Sequence, residues 1–183
     1  MKQSQYERFQ RIAESFGVDD LSGAELSRLI RLLSTGYETI FKGRMANENL
    51  SGPRWRILLQ LFMAEEIGEP GVSPSKLAQA RNVSKNTIST LLRSLEERDL
   101  ITRVISANDR RSFIIHLSDK GRLLVQERSP QHLHLLNELA ADLLPEERLL
   151  LISLLQRLYK SLSHHGGLPE SYCRDDTPPE AKE

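Results

Sequence analysis

Lys85, Ser89 and Arg93 recur at i, i+4 and i+8, and Asn86 and Thr90 lie beside them. On a helix this spacing gathers all five on one face. Each carries a donor or a hydroxyl, and none is acidic. Such side chains bond to phosphate oxygens and reach the base edges of a DNA major groove. Ser84 and Thr87 belong to the same short stretch. A second group, Asp109, Arg110 and Arg111, stands on a polar run between two apolar segments. An Arg on a thin loop can enter a minor groove, where negative potential concentrates. A neighbouring Asp can fix its guanidinium.

Two elements must hold the first group. Ser73 fits as an N-cap, with Pro74 at the first helical position, where its missing N–H costs nothing. Leu77 and Ala78 face inward, and small Ala78 suits a close helix crossing. Asn82 falls at the turn, where glycine is usual; asparagine tolerates the left-handed conformation better than most residues. Val83 plugs the gap and Ser84 caps a second helix. Ile88, Leu91, Leu92 and Leu95 then form its buried stripe. The pattern is a helix-turn-helix over 73–98. A polar helix face alone is commonly just solvated surface, and the ordered turn and stripe are what favour DNA.

The second group needs a hairpin. Residues 100–105 and 112–117 are rich in β-branched side chains and flank the polar turn, so 100–117 reads as a wing. A merely solubilising hairpin tip fits less well beside a helix-turn-helix.

The order of elements resembles the MarR family of bacterial transcription regulators. An amphipathic helix, a helix with Arg54-Trp55, the helix-turn-helix, the wing and two Leu-rich helices follow one another. The carrying motifs are residues 95–101, Asp109-Arg-Arg111 and the run 117–121 ending in Gly121. The resemblance spans about residues 24–163, with the recognition helix at 84–97. It implies that Arg111 enters the minor groove, oriented by Asp109. It implies homodimerisation through the first and last helices, and repression by promoter occupancy. It also implies release by a small aromatic or phenolic effector bound near the junction of dimer interface and winged module. One departure is Asp99, where the family has glycine. Asp is a poorer left-handed residue, so the helix is expected to end differently.

The chain of 183 residues is neutral overall, which at first argues against nucleic acid. The distribution argues the other way. From Lys76 to Arg122 there are ten basic and five acidic residues, a net +5, so the remainder carries −5. A basic module on an acidic scaffold suits one face that meets phosphates.

The flanking helices carry a different signal. Ser22-Gly-Ala-Glu25 reads as a capping box, opening a helix with Leu26, Leu29, Ile30, Leu33, Tyr37, Ile40, Phe41 and Met45 on one side. A helix over roughly 119–143 adds Leu133, Leu135, Leu136 and Leu139. After Pro145 the chain is leucine-rich on more than one helical face, through Leu158, Tyr159 and Leu162. A second buried face is needed, and a two-fold dimer supplies it more readily than a larger monomeric core. Two recognition helices would then enter successive major grooves, roughly 34–36 Å apart, on a palindromic site.

Sensing signals are weak. Arg54 and Trp55 are the effector-site candidates, although Trp55 suits core packing better, and His116 on the second wing strand reads as structural or exposed. The single Cys173 lies in the C-terminal tail; a lone tail thiol could pair between subunits, but a redox switch is not the expected reading. His132 and His134 fall on different helix faces, and His164-His165 matches no clean metal spacing, so no metal or cofactor is expected. Residues 2–16, with Tyr6, Phe9, Ile12, Ala13 and Phe16, suggest an added amphipathic helix packing on the dimer, ended by Gly17. No run is apolar enough to span a bilayer, and the start is polar from Met1 to Phe9, so no membrane association and a cytoplasmic location are expected.

The expected architecture is mainly α with a small β-wing. It comprises an N-terminal helical extension (1–21), a winged helix-turn-helix domain (22–163) with dimerisation helices at 22–47 and 118–163, and a flexible tail (164–183). The alternative is a winged-helix protein-interaction module without DNA binding. That reading expects exposed apolar residues on the recognition face and no Asp109/Arg111 pair. An enzyme is disfavoured: there is no nucleophile–base pair, no Gly-rich phosphate loop and no carboxylate pair.

Overall fold

Local capping and apolar periodicity divide the chain into seven helices and one hairpin among the described residues. The computed structural model describes residues 2–44, 50–69, 71–105 and 112–166. In order these are α1 (Lys2–Ser15), α2 (Ser22–Arg44), α3 (Gly52–Glu66), α4 (Pro74–Arg81), α5 (Lys85–Glu96), β1 (Ile101–Ile105), β2 (Phe113–Leu117), α6 (Asp119–Leu139) and α7 (Pro145–Gly166). The wing tip with Asp109, Arg110 and Arg111 lies outside the described residues, as do Met45 and Cys173, and so do the side chains of Tyr6 and Phe9.

The chain forms two compact units, Met1–Gly52 and Pro53–Glu183. In the first, α1 ends on Gly17 at φ 73, and Val18 N–H returns to the Ala13 carbonyl at 3.0 Å. Only a residue free of Cβ strain closes a helix this way cheaply. The expected capping box does not form. Ser22 N–H donates to the Asp20 carboxylate at 2.8 Å, and that hydrogen bond holds the Asp20 carboxyl below its ordinary value. Glu25, freed from the cap, bonds Arg28 at 2.5 and 2.7 Å. Asp20 wins because an Asx-type bond two residues on is shorter-range than a reach back over a whole turn. Along α2, Leu26, Leu29, Leu33, Tyr37 and Ile40 are exposed and Phe41 is buried.

The second unit holds the core. Trp55, Ile57, Leu58 and Leu61 of α3 are fully buried, as are Leu77 of α4, Ile88, Leu92 and Leu95 of α5, Ile115 of β2 and Val125 of α6. β1 and β2 pair antiparallel, from Ile101 opposite Leu117 to Ile105 opposite Phe113. A further bridge joins Val72 to Ile115, with N–H to carbonyl bonds of 3.0 and 2.9 Å in both directions. Gly71 permits it. At φ 96 a Cβ there would sit 2.8 Å from the Ile115 carbonyl oxygen and 2.6 Å from Ile114 Cγ2.

α6 runs through Pro130 without ending, although proline removes one ladder donor. It stops at Leu139, short of the expected 143, and α7 continues to Gly166, three residues into the expected tail. On α7 the residues Leu149, Leu150, Leu151, Ile152, Leu154 and Leu155 are all exposed. No helix among the described residues is long and apolar enough to cross a membrane.

Candidate nucleic-acid interface

α4 begins as its sequence dictates. The Ser73 side chain accepts from Lys76 N–H at 3.2 Å and Pro74 occupies the first turn. The turn forms on Asn82, left-handed at φ 49, ψ 46. Its next neighbour Val83, half-buried, donates its N–H to the Ala78 carbonyl at 3.1 Å. α5 then starts on Ser84, whose Oγ accepts from Thr87 N–H at 3.1 Å and lies 2.9 Å from Thr87 Oγ1. Ser84 and Thr87 therefore serve the cap.

With Ile88, Leu92 and Leu95 buried, the opposite side of α5 presents Lys85, Asn86, Ser89, Thr90 and Arg93, all exposed. Ser89 Oγ donates to the Lys85 carbonyl at 2.8 Å and Thr90 Oγ1 to the Asn86 carbonyl at 3.0 Å. No apolar side chain interrupts this face, and the predicted set is gathered as the spacing required.

α5 ends in a left-handed turn. Asp99 takes φ 56, and Leu100 N–H reaches the Leu95 carbonyl at 3.0 Å. Asp99 thus adopts the glycine conformation despite its Cβ. Next to it, sequence reasoning missed a junction. Ser118 Oγ donates to the Asp99 carbonyl and accepts Gly121 N–H at 3.0 Å. A Cβ on Gly121 would lie 2.0 Å from the Leu100 carbonyl oxygen, so the run 117–121 owes its glycine to a backbone contact. The signal was in the motif, but its cause is a long-range packing distance that spacing does not reveal.

Part of the basic balance is consumed internally. Arg103 on β1 pairs with Glu96 of α5 at 2.8 Å. Arg122 on α6 bonds Glu65 of α3 at 3.1 and 3.3 Å and Asp119 at 2.9 Å. These bonds, Glu65 foremost, raise the Arg122 guanidinium above its ordinary value. Lys120 Nζ donates to the Arg98 carbonyl at 2.9 Å, and Arg81 to the Arg56 carbonyl. Counting charges along the chain credits all of these to a phosphate-facing surface, whereas several hold the module together.

Trp55 is 1% exposed and is a core side chain. Its ring meets that of His132 edge-on at 5.8 Å. Burial holds His132 below its ordinary value. Of the pair Arg54 and Trp55, only half-buried Arg54 has surface to offer a ligand. His116 is half-buried in the wing opposite Thr102. Among the described residues no cluster of His, Cys, Asp or Glu could hold a metal ion.

Known proteins place this arrangement. A family model described as MarR family matches residues 48–112. The HTH-type transcriptional repressor YetL of Bacillus subtilis (strain 168) is 26% identical over 158 residues, covering 86% of this chain and 93% of YetL. Among solved structures, a MepR–DNA complex from S. aureus superposes with a TM-score of 0.68 at 25% identity, covering 74% of this chain and 97% of that one. A mutant MarR from E. coli complexed with operator DNA shares the fold, with a TM-score of 0.67 at 18% identity over 75% of this chain and 96% of that one. Sequence, fold and helix-turn-helix geometry agree: the chain matches the MarR family model over residues 48–112 and shares the fold of MarR-type winged-helix transcription regulators.

Proposed function

We propose that the chain is a cytoplasmic, homodimeric repressor that binds a palindromic promoter site and leaves it when a small aromatic or phenolic effector binds. The observation that carries this reading is the exposed face of α5, with Lys85, Asn86, Ser89, Thr90 and Arg93 opposite a buried apolar stripe. Lys85 and Arg93 supply charge for phosphates or guanine, and Asn86 can pair bidentately with adenine. Ser84 and Thr87 hold the N-terminus of α5, which itself favours a phosphate. On the wing, Arg111 reaches the minor groove with Asp109 orienting it and Arg110 beside it.

The exposed leucines of α7 and the apolar row of α2 support a second copy. Exposed apolar residues in such number along a helix mark an interface. In this reading 22–47 and 118–163 are the dimerisation segments around the winged module, 1–21 is an extension and 164–183 a tail. An effector that prefers a recognition-helix spacing unlike that of the operator weakens DNA binding by its differential affinity. Arg54 is the accessible candidate for contacting it, and Trp55 would take part only if the core around it opened.

A mobility-shift titration on the intergenic DNA beside the gene, against random duplex, tests the reading. A discrete complex on a palindrome, with a hydrodynamic mass of two chains, is expected. Equal affinity for random duplex at low salt overturns it.

A further inference from the structure

The hydrogen bonds within α5 fix what its outward face can offer. A hydroxyl has one hydrogen. Those of Ser89 and Thr90 are spent on the Lys85 and Asn86 carbonyls, at 2.8 and 3.0 Å. Both side chains are exposed, so their oxygens present lone pairs outward and no donor. Lys85 and Arg93 can only donate, and Asn86 can do both. Viewed down the helix, Asn86 and Arg93 lie near the middle of the exposed face, with Ser89 and Thr90 between them along the axis. At about 1.5 Å per residue, Asn86 to Arg93 spans about 10 Å, or roughly three stacked base pairs.

We propose that Ser89 and Thr90 are specificity-determining residues that act as hydrogen-bond acceptors, choosing an adenine N6 or cytosine N4 amino group at the centre of each half-site. The inference rests on the reading of α5 as a DNA-recognition helix. Every base pair shows one amino group in the major groove, on the purine of A·T and on the pyrimidine of G·C, so its place across the groove differs. An acceptor held at a fixed position therefore accepts one arrangement. It rejects the other, where a keto oxygen or purine N7 would bring lone pair against lone pair. The face then reads as donors at its ends and acceptors at its centre.

The test uses the full chain and a duplex recovered by selection from random sequence. Single adenines are replaced by purine lacking the N6 amino group, and single cytosines by pyrimidin-2-one lacking N4. A parallel series carries 7-deazapurines, which lack N7. Affinities are measured for the wild type, Ser89→Ala and Thr90→Val, with melting curves to confirm the fold. Removal of one amino group per hydroxyl should weaken wild-type binding roughly three- to tenfold. The matching variant should lose nothing further at that position. Coupling of either variant to a 7-deazapurine position shows the hydroxyl donating and overturns the proposal, as does coupling at no position. Failure to recover any preferred duplex instead sinks the DNA-recognition reading itself.

Discussion

The Ser118 hydroxyl donates to the Asp99 carbonyl while its oxygen accepts the Gly121 N–H. One side chain thus fastens the loop after α5 to the first turn of α6. Ser118 is also the N-cap of α6, at φ −79, ψ 168. Its backbone N–H adds a third tie, to the Leu100 carbonyl at 3.2 Å.

Ser118→Ala removes both side-chain bonds and leaves the Asp99 carbonyl and Gly121 N–H to find water. A loss of about 1–2 kcal/mol is expected. Urea unfolding followed by circular dichroism measures it, and an unchanged midpoint would show that the tie contributes nothing.

Asp99→Gly should act in the opposite direction. Asp99 sits at φ 56, where a Cβ costs energy that glycine avoids, and the carbonyl that Ser118 uses is retained. A gain of roughly 0.5–1 kcal/mol is expected, seen as a melting temperature raised by a few degrees. Asp99→Val should lower it instead.

Gly121→Ala places a methyl 2.0 Å from the Leu100 carbonyl oxygen. Backbone must move to accept it, and a loss of about 3 kcal/mol or more is expected. Denaturant titration reads the effect; a loss below about 1 kcal/mol would mean that the two segments separate freely.

Lys85→Ala and Arg93→Ala remove one exposed cation each from α5. If each meets a phosphate, the slope of log affinity against log salt falls by about one unit per variant, uniformly across sequences. If Arg93 reads guanine instead, its variant keeps the slope and relaxes one base position. A variant with neither change removes that residue from the contact surface.

His132 makes stability depend on pH. Burial holds it below its ordinary 6.5, so the unfolded chain takes up the proton more readily than the folded one. The contribution is complete above about pH 6.5 and declines as pH falls toward the lower folded value. His132→Phe should flatten the change in melting temperature between about pH 7.5 and about pH 5.5. An equal change in both proteins would assign the dependence elsewhere.

The helix-turn-helix was readable because its determinants are local. Ser73, Pro74, Asn82 and Ser84 act within one turn of themselves, and the stripe Ile88, Leu92 and Leu95 follows the helical repeat. Contacts between distant segments were not readable. Glu65 and Arg122 are 57 positions apart, and nothing in their spacing says that α3 and α6 bring them together. Nothing in the sequence explains Gly71 or Gly121 until the carbonyls of Ile115 and Leu100 appear beside them. The capping box failed for a local reason too: Asp20 competes for the same N–H that Glu25 would take. For the exposed face of α5, residue type and periodicity named the members, while the carbonyl to which each hydroxyl donates became visible only in the folded helix.

The bridge between Val72 and Ile115 has a mechanical consequence. It stitches Val72, two residues ahead of α4, to the middle of β2, so in the proposed DNA complex α4 and the wing strands act as a single stiff tool. A tool of fixed span does not stretch to suit a groove of the wrong width. The duplex must yield instead, and the energy it spends depends on the stiffness of steps that no side chain touches. Sequence preference should therefore extend beyond the contacted bases, to positions where the DNA is asked only to bend.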